Sequence, residues 1–299
     1  LIPTGDIVIP LEILRRVRRL QLRTRKLVQN LLGGEYLSAF KGSGLSFEEV
    51  RPYCAGDDVR AIDWNVTARC GTPFVKRFLE ERELTLFLAL DVSASMNFGS
   101  QSLRKREVAA ELGAILATCA EMNKDRLGFL AFSDQLEVFI PPSRGIRHTQ
   151  RIIRDLLLLQ GKSKGTNLNH LFDSINQGIK RRAIVFVLSD FQGLPSQNSV
   201  RLTSKKHDLI AVRITDPFER KLPTAGILDV KDCESDEPLL IDTHSKSTHT
   251  QFVKIVQEAD EEFLKMVRSN RIDWIEVTTQ GDHLDRLLAF FQLRKSRRG

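Results

Sequence analysis

Apolar residues along this chain fall into two rhythms. Short, nearly unbroken runs of about six to eight residues alternate with longer stretches in which apolar positions recur every three or four residues. The runs predict strands buried on both faces, and the stretches predict amphipathic helices that cover them. The runs are Leu84 to Asp91, Arg126 to Phe132, Ala183 to Leu188, His207 to Ile214 and Ile272 to Val277. Helix-period stretches separate them. Ser102 to Asn123 carries a stripe of Val108, Leu112, Ile115, Leu116 and Cys119, and Ile152 to Leu159 is apolar on one side. Leu168, Leu171, Phe172, Ile175 and Ile179 repeat at helical spacing, as do Phe252, Val256, Ala259, Phe263 and Val267. A short helix is expected around Ser199 to Lys205, and a last one on Leu284, Leu287, Leu288 and Phe291. Gln135 to Ile140 reads as the hairpin partner of the second strand, closed by Pro141-Pro142. Strands alternating with helices give an α/β fold with a doubly wound, mainly parallel, Rossmann-like sheet.

The first 80 residues follow a different pattern. Leu11 to Leu32 reads as one basic amphipathic helix, with Leu14, Val17, Leu20, Leu27 and Leu31 near one face and Arg15, Arg16, Arg18, Arg19, Arg23, Arg25 and Lys26 mostly on others. Gly33-Gly34 is expected to end it. Packing on its own domain is the leading use for this helix. Weak peripheral contact with an anionic membrane, or docking of a partner, comes next, and no specific nucleic-acid role is expected. Ser38 to Glu83 is dense in charges and glycines, yet it holds Phe40, Phe47, Tyr53, Trp64, Phe74 and Phe78, too many aromatics for a disordered linker. The chain therefore divides into residues 1–80, a basic helix and a charged irregular segment packed on the rest, and residues 81–299, the α/β domain. The latter carries a small hairpin insertion near 226–242.

Composition narrows the picture further. The net charge of +7 permits an anionic partner without requiring one, and the tail residues Arg294, Lys295, Arg297 and Arg298 read as a solvated end. No apolar stretch reaches the roughly 20 residues of a membrane span, and no signal-peptide pattern opens the chain. Four scattered cysteines form no Cys-x-x-Cys pair, and the expectation is a reduced, cytoplasmic protein. No P-loop, dinucleotide fingerprint, nucleophile elbow or His-rich zinc spacing occurs.

The chemistry gathers where predicted strands end. Asp91, Ser93 and Ser95 follow the first run, Thr166 stands at the start of a helix, and Asp190 follows the third run. In an open α/β sheet this carboxyl edge is where ligands bind. Carboxylates and hydroxyls form a hard, oxygen-only set suited to Mg²⁺ or Mn²⁺. Asp-x-Ser-x-Ser, then Thr, then Asp, resembles the metal-ion-dependent adhesion site of von Willebrand factor A domains. A haloacid-dehalogenase reading would need a second acid where Ser93 stands.

A second resemblance lies upstream. Gly42-Ser-Gly-Leu-Ser-Phe-Glu-Glu-Val-Arg-Pro-Tyr53, Gly56-Asp-Asp-Val-Arg-Ala-Ile-Asp-Trp-Asn-Val-Thr-Ala-Arg69, Val75-Lys-Arg-Phe and Glu80-Glu-Arg-Glu83 lead directly into the Asp91 strand. Together they resemble the bacterial DUF58 family, which couples such a segment to a von Willebrand A-like domain. Ser46 and Pro52 stand where many members carry acids. The resemblance implies an adaptor for MoxR-type AAA+ ATPases, acting in assembly or maturation of other proteins. Arg51, Asp57, Asp58, Arg60, Asp63 and Arg69 are close enough in sequence for Arg–carboxylate pairing, and they form either a structural network or a second binding surface. Two function classes follow. The favoured one is a metal-dependent protein-binding module, not an enzyme, whose partner offers an acidic residue to the cation. The alternative is a Mg²⁺-dependent phosphoryl-transfer or hydrolytic enzyme using the same site.

Overall fold

The computed structural model describes residues 22–41, 49–54, 64–77, 84–231, 238–281 and 283–298, with Arg19, Val59, Ile62 and Cys233 besides. From residue 22 the chain is helical. It passes through a π-helical turn at Val28–Leu32 and continues as α1 (Gly33–Lys41). Gly33-Gly34 therefore does not end the helix. Tyr36, Ala39 and Phe40 beyond it are buried, and that burial outweighs the poor helix propensity of two glycines. Most of the predicted stretch before residue 22 lies outside the described residues. β1 (Glu49–Pro52) and β2 (Phe74–Arg77) form an antiparallel pair, with α2 (Trp64–Cys70) between them in sequence.

The main sheet begins at β3 (Thr85–Asp91), which leads to α3 (Lys105–Met122). Next come β4 (Arg126–Phe132), β5 (Leu136–Ser143), α4 (Ile146–Leu158) and α5 (Leu168–Gly178). β6 (Ile184–Ser189), α6 (Gln197–Lys206), β7 (Asp208–Thr215) and the one-turn helix α7 (Pro217–Arg220) follow. A separate antiparallel hairpin of β8 (Ile227–Lys231) and β9 (Pro238–Asp242) precedes α8 (Lys246–Ser269), β10 (Asp273–Thr278) and α9 (His283–Arg298). Six strands pair in the order β10-β7-β6-β3-β4-β5, all parallel except the edge strand β5. The fold is α/β, with a mainly parallel sheet covered by helices on both faces.

Period-two alternation sorts the strand side chains between those faces. Leu86, Leu88 and Leu90 of β3 point into one core with residues of α1, α3, α4 and α9. Phe87 and Ala89 point into the other, with residues of α5, α6 and α8. Gly128 on β4 makes room for the Phe87 ring, since a Cβ there would lie 2.4 Å from it. β5 runs through Pro141-Pro142 rather than stopping at them. As an edge strand it need not donate on its outer side, and its register shifts along β4. Among the described residues, no helix is long and apolar enough to cross a membrane.

The N-terminal helix is part of the first core. Tyr36 and Phe40 pack edge-to-face on Phe291 of α9, with ring centroids 6.1 and 5.7 Å apart. The Tyr36 hydroxyl donates to Asp125 Oδ2 at 3.2 Å, while Asp125 Oδ1 accepts from the Leu84 N–H. Arg294 corrects the expectation of a solvated tail. It is 4% exposed, stacks on Phe40, donates to Asp273 Oδ2 at 2.7 Å and pairs with Asp208. A buried arginine needs such partners, and these two acids lie where β7 and β10 begin.

Candidate functional site at the carboxyl edge of the sheet

Asp91 ends β3, and its side chain is fully buried. The chain turns at once. The Ser93 N–H donates to Asp91 Oδ1 at 2.9 Å, and the Ser93 and Ser95 hydroxyls share a hydrogen bond of 3.1 Å. The loop is pinned from both sides. Val92 N–H donates to Phe132 O at the end of β4, and Ala94 N–H to Lys164 O in the segment before α5. Gly161 passes so close to Val92 that a Cβ would lie 2.3 Å from its carbonyl oxygen. Thr166, two residues beyond Lys164, lines the same cavity as Ser95. Thr166 stands one residue before the helix N-cap. Asn167 is the cap itself, its side chain accepting from Asn169 and His170 N–H groups.

Asp190 follows β6, the neighbour of β3, and reaches the same edge. The sequence-predicted residues Asp91, Ser93, Ser95, Thr166 and Asp190 are thus brought to one place. Burial and the charge of Asp190 push the Asp91 carboxyl up to about 6, against the lowering effect of hydrogen bonds from Ser189 and Ser93. Ser189 Oγ donates to Asp91 Oδ2 at 2.6 Å. Among the described residues, no group of three or more His, Cys, Asp or Glu side chains forms a metal cluster. A cation here would accordingly depend on hydroxyl oxygens as well as the two aspartates. That donor chemistry, together with a buried carboxylate under like-charge repulsion, fits a hard divalent ion.

The structure adds residues that the sequence pattern did not reveal. Lys105 opens α3, and its wholly buried ammonium donates to Asp190 Oδ2 at 2.7 Å and to Glu219 Oε1 at 2.5 Å. Burial would lower this amine, but the two carboxylates outweigh burial and hold it above its ordinary range. Glu219 belongs to α7, which Asp216 caps. The Asp216 carboxylate accepts from Phe218 N–H at 2.9 Å, and the Asp216 N–H donates to Glu219 Oε2 at 2.9 Å. Asp216 also accepts the Ser100 hydroxyl at 2.5 Å and the Thr279 hydroxyl at 2.6 Å. Burial alone would raise the Asp216 carboxyl, yet these bonds hold it below the usual range. One signal was visible in the sequence. Asp216-Pro-Phe-Glu219 has the acid-three-residues-on spacing of a capping box.

A cavity of about 340 Å³ opens above this edge, lined by Ser95, Phe98, Thr166, Gln192, Glu219 and Lys231 among others. Lys231 brings the β8–β9 hairpin to its rim. The upstream candidates are only partly placed. Arg51 sits on β1 and donates to Pro52 O at 3.2 Å, and Arg69 is exposed in the last turn of α2. Asp57, Asp58, Arg60 and Asp63 lie outside the described residues.

Comparison with known proteins decides the family. The family described as "Protein of unknown function DUF58" matches residues 49–262. The chain belongs to the DUF58 family. Uncharacterized proteins of Mycobacterium bovis and Mycobacterium tuberculosis are 30% identical to it over 234 residues, covering 77% of this chain and 74% of theirs. Two solved structures align with this DUF58 chain at low identity. BatB from Bacteroides thetaiotaomicron covers 71% of this chain and 99% of its own, at 11% identity and a TM-score of 0.44. The VWA domain of SpRpn10 covers 70% of this chain and 94% of its own, at 10% identity and a TM-score of 0.38.

Proposed function

We propose that this DUF58 protein is a protein-binding adaptor whose docking point is a divalent cation, Mg²⁺ or Mn²⁺, at the carboxyl edge of the sheet. The observation that carries this reading is the buried, oxygen-only set around Asp91, open to solvent through a cavity lined by Ser95 and Thr166. Ser93, Ser95 and Thr166 would offer neutral hydroxyl oxygens. Asp91 and Asp190 would act largely through water, because Ser93, Ser189 and Lys105 already engage their oxygens. A hard cation held mainly by neutral oxygens offers an open position to a partner's carboxylate. The partner would present a protruding Asp or Glu. A subunit of a MoxR-type AAA+ ATPase is the first candidate, on the family resemblance.

Hydrolysis with the same ion is the lesser reading. It would need a free nucleophile or base, and Ser93, Ser95 and Asp190 are each tied to a neighbour. Co-purification of this chain with a MoxR-type AAA+ ATPase tests the adaptor reading. The complex should form with Mg²⁺, fall apart in EDTA and weaken with Thr166→Ala. A complex indifferent to both would move the interface to the 42–69 segment. Turnover of phosphatase or esterase substrates that is lost in Asp91→Asn would favour the enzyme instead.

A further inference from the structure

A lysine buried to 0% exposure among carboxylates asks for a reason, because burial costs it both hydration and rotamer freedom. Lys105 is held there by an assembly drawn from several parts of the chain. Asp190 comes from the end of β6 and Glu219 from α7. Glu219 Oε1 accepts from the Gln192 amide at 3.3 Å, and its other oxygen accepts the Asp216 N–H. Asp216 in turn is tied to Ser100 and Thr279. Four segments of the carboxyl edge, those after β3, β6, β7 and β10, are fastened so that one ammonium meets two acids.

The charges then have a simple count. Lys105 meets Asp190 and Glu219 directly, whereas the Asp216 oxygens are taken by Ser100, Phe218 and Thr279 and do not reach the ammonium. Setting Asp216 aside, the three carboxylates Asp91, Asp190 and Glu219 and the one ammonium leave two negative charges when all are ionised. That is the complement of a divalent ion. Lys105 also occupies Asp190 Oδ2, while Asp190 Oδ1 accepts the Gln192 N–H at 3.2 Å.

We propose that Lys105 sets the charge of the cation site. It cancels one of three carboxylates, matching the site to divalent rather than trivalent ions, and it keeps one oxygen of Asp190 away from direct coordination. This inference rests on the cation reading of the site. In this role Lys105 is a positioning residue and Glu219 its counterweight.

The test measures Mn²⁺ affinity by electron paramagnetic resonance and Tb³⁺ affinity by luminescence on the full chain. Wild type is compared with Lys105→Met and Glu219→Gln, and circular dichroism checks each fold. One added or removed charge within a few ångströms moves an ionic equilibrium by about tenfold or more. Lys105→Met should therefore shift the Tb³⁺-to-Mn²⁺ preference about tenfold toward Tb³⁺. Glu219→Gln should shift it the other way and weaken Mn²⁺. A merely structural lysine would lower both affinities together and leave their ratio alone. An unchanged ratio in folded Lys105→Met overturns the charge-setting role while leaving the cation reading in place. If Lys105→Met does not fold, an unchanged ratio in Glu219→Gln overturns it equally. Should neither wild type nor Lys105→Met take up either ion, the cation reading fails and this inference falls with it.

Discussion

Asp91 carries the strongest unrelieved electrostatic cost among the site residues. Its carboxyl is raised from an unfolded value of 3.8 to about 6 by burial and by Asp190. A raised acid destabilises the fold above its folded pKa, and the cost vanishes below the unfolded one. At pH 8 it amounts to at most about 3 kcal/mol. Asp91→Asn removes the charge and should leave the protein at least as stable as wild type in EDTA. Mg²⁺ at ten times its dissociation constant should stabilise wild type by about 1.4 kcal/mol. The asparagine variant should not respond, so melting curves with and without Mg²⁺ should show wild type gaining on the variant by about that amount. A full Mg²⁺ response in Asp91→Asn would remove this residue from the site. His207 works in the opposite sense. It is buried, neither ring nitrogen has a hydrogen-bond partner among the described residues, and burial together with Lys206 and Arg182 lowers it from 6.5 to about 4. The unfolded chain takes up this proton below pH 6.5 and the folded chain resists until about 4. Its contribution is therefore full above 6.5 and is lost as pH falls from 6.5 to 4, by up to about 3 kcal/mol. Urea midpoints at pH 7.5 and 5 should differ by more in wild type than in His207→Leu. Asp91 titrates in both, so the difference isolates the imidazole. Residue by residue, Asp91, Ser93 and Ser95 were legible because they are adjacent in sequence and follow an apolar run. Lys105 was not, because its partners lie 85 and 114 residues away and only the closed sheet edge brings them together.

At the scale of elements, the period of apolar residues located the central strands and most of the helices that cover them. It misjudged the places where a tertiary contact overrules a local signal. Gly33-Gly34 reads as a stop, yet Phe40 beyond it has Phe186 and Phe291 to pack against, so the helix runs on. That outcome is testable at Gly34, where an added Cβ meets nothing within 4 Å. Gly34→Ala should raise stability by about 0.5–1 kcal/mol through helix propensity alone, read from chemical denaturation. A loss there would mean that the helix does end at the glycines. Gly161→Ala makes the contrast. Its Cβ would press on the Val92 carbonyl, and because that obstacle is backbone, the Asp91–Ser95 loop must shift. The expected cost is about 1–3 kcal/mol, together with loss of the Mg²⁺ response. An unaltered Mg²⁺ response in Gly161→Ala would show that the loop tolerates the shift and that this close approach does not set the site.

At the scale of the whole molecule, helices far apart in sequence meet. α1 and α9 pack on one another and on the face of the sheet that holds Leu86, Leu88 and Leu90. The charge pattern could not reveal this, because Arg294 resembles its solvated neighbours until Asp208, Asp273 and the Phe40 ring are placed around it. The same arrangement explains how the described part of the helix, which carries Arg23, Arg25 and Lys26, stays on its own domain. Val28, Leu32, Tyr36 and Phe40 turn inward, while Arg23 stays largely exposed and pairs with Glu111 at 3.3 Å. If the N-terminal helix is part of the core, truncating its inner face must weaken everything that core supports. Phe40→Ala empties a site shared by α1, β6 and α9, and also takes the stacking partner from Arg294. The expected loss is about 3–5 kcal/mol. It should appear as one cooperative transition at lower temperature, followed alike by tyrosine absorbance and far-ultraviolet circular dichroism. The Mg²⁺ response should persist below that transition, since Phe40 packs on Phe186, Phe291 and Arg294. A separate early transition, with the sheet melting at the wild-type temperature, would make the helix an appendage and reopen the membrane and partner readings of its arginines.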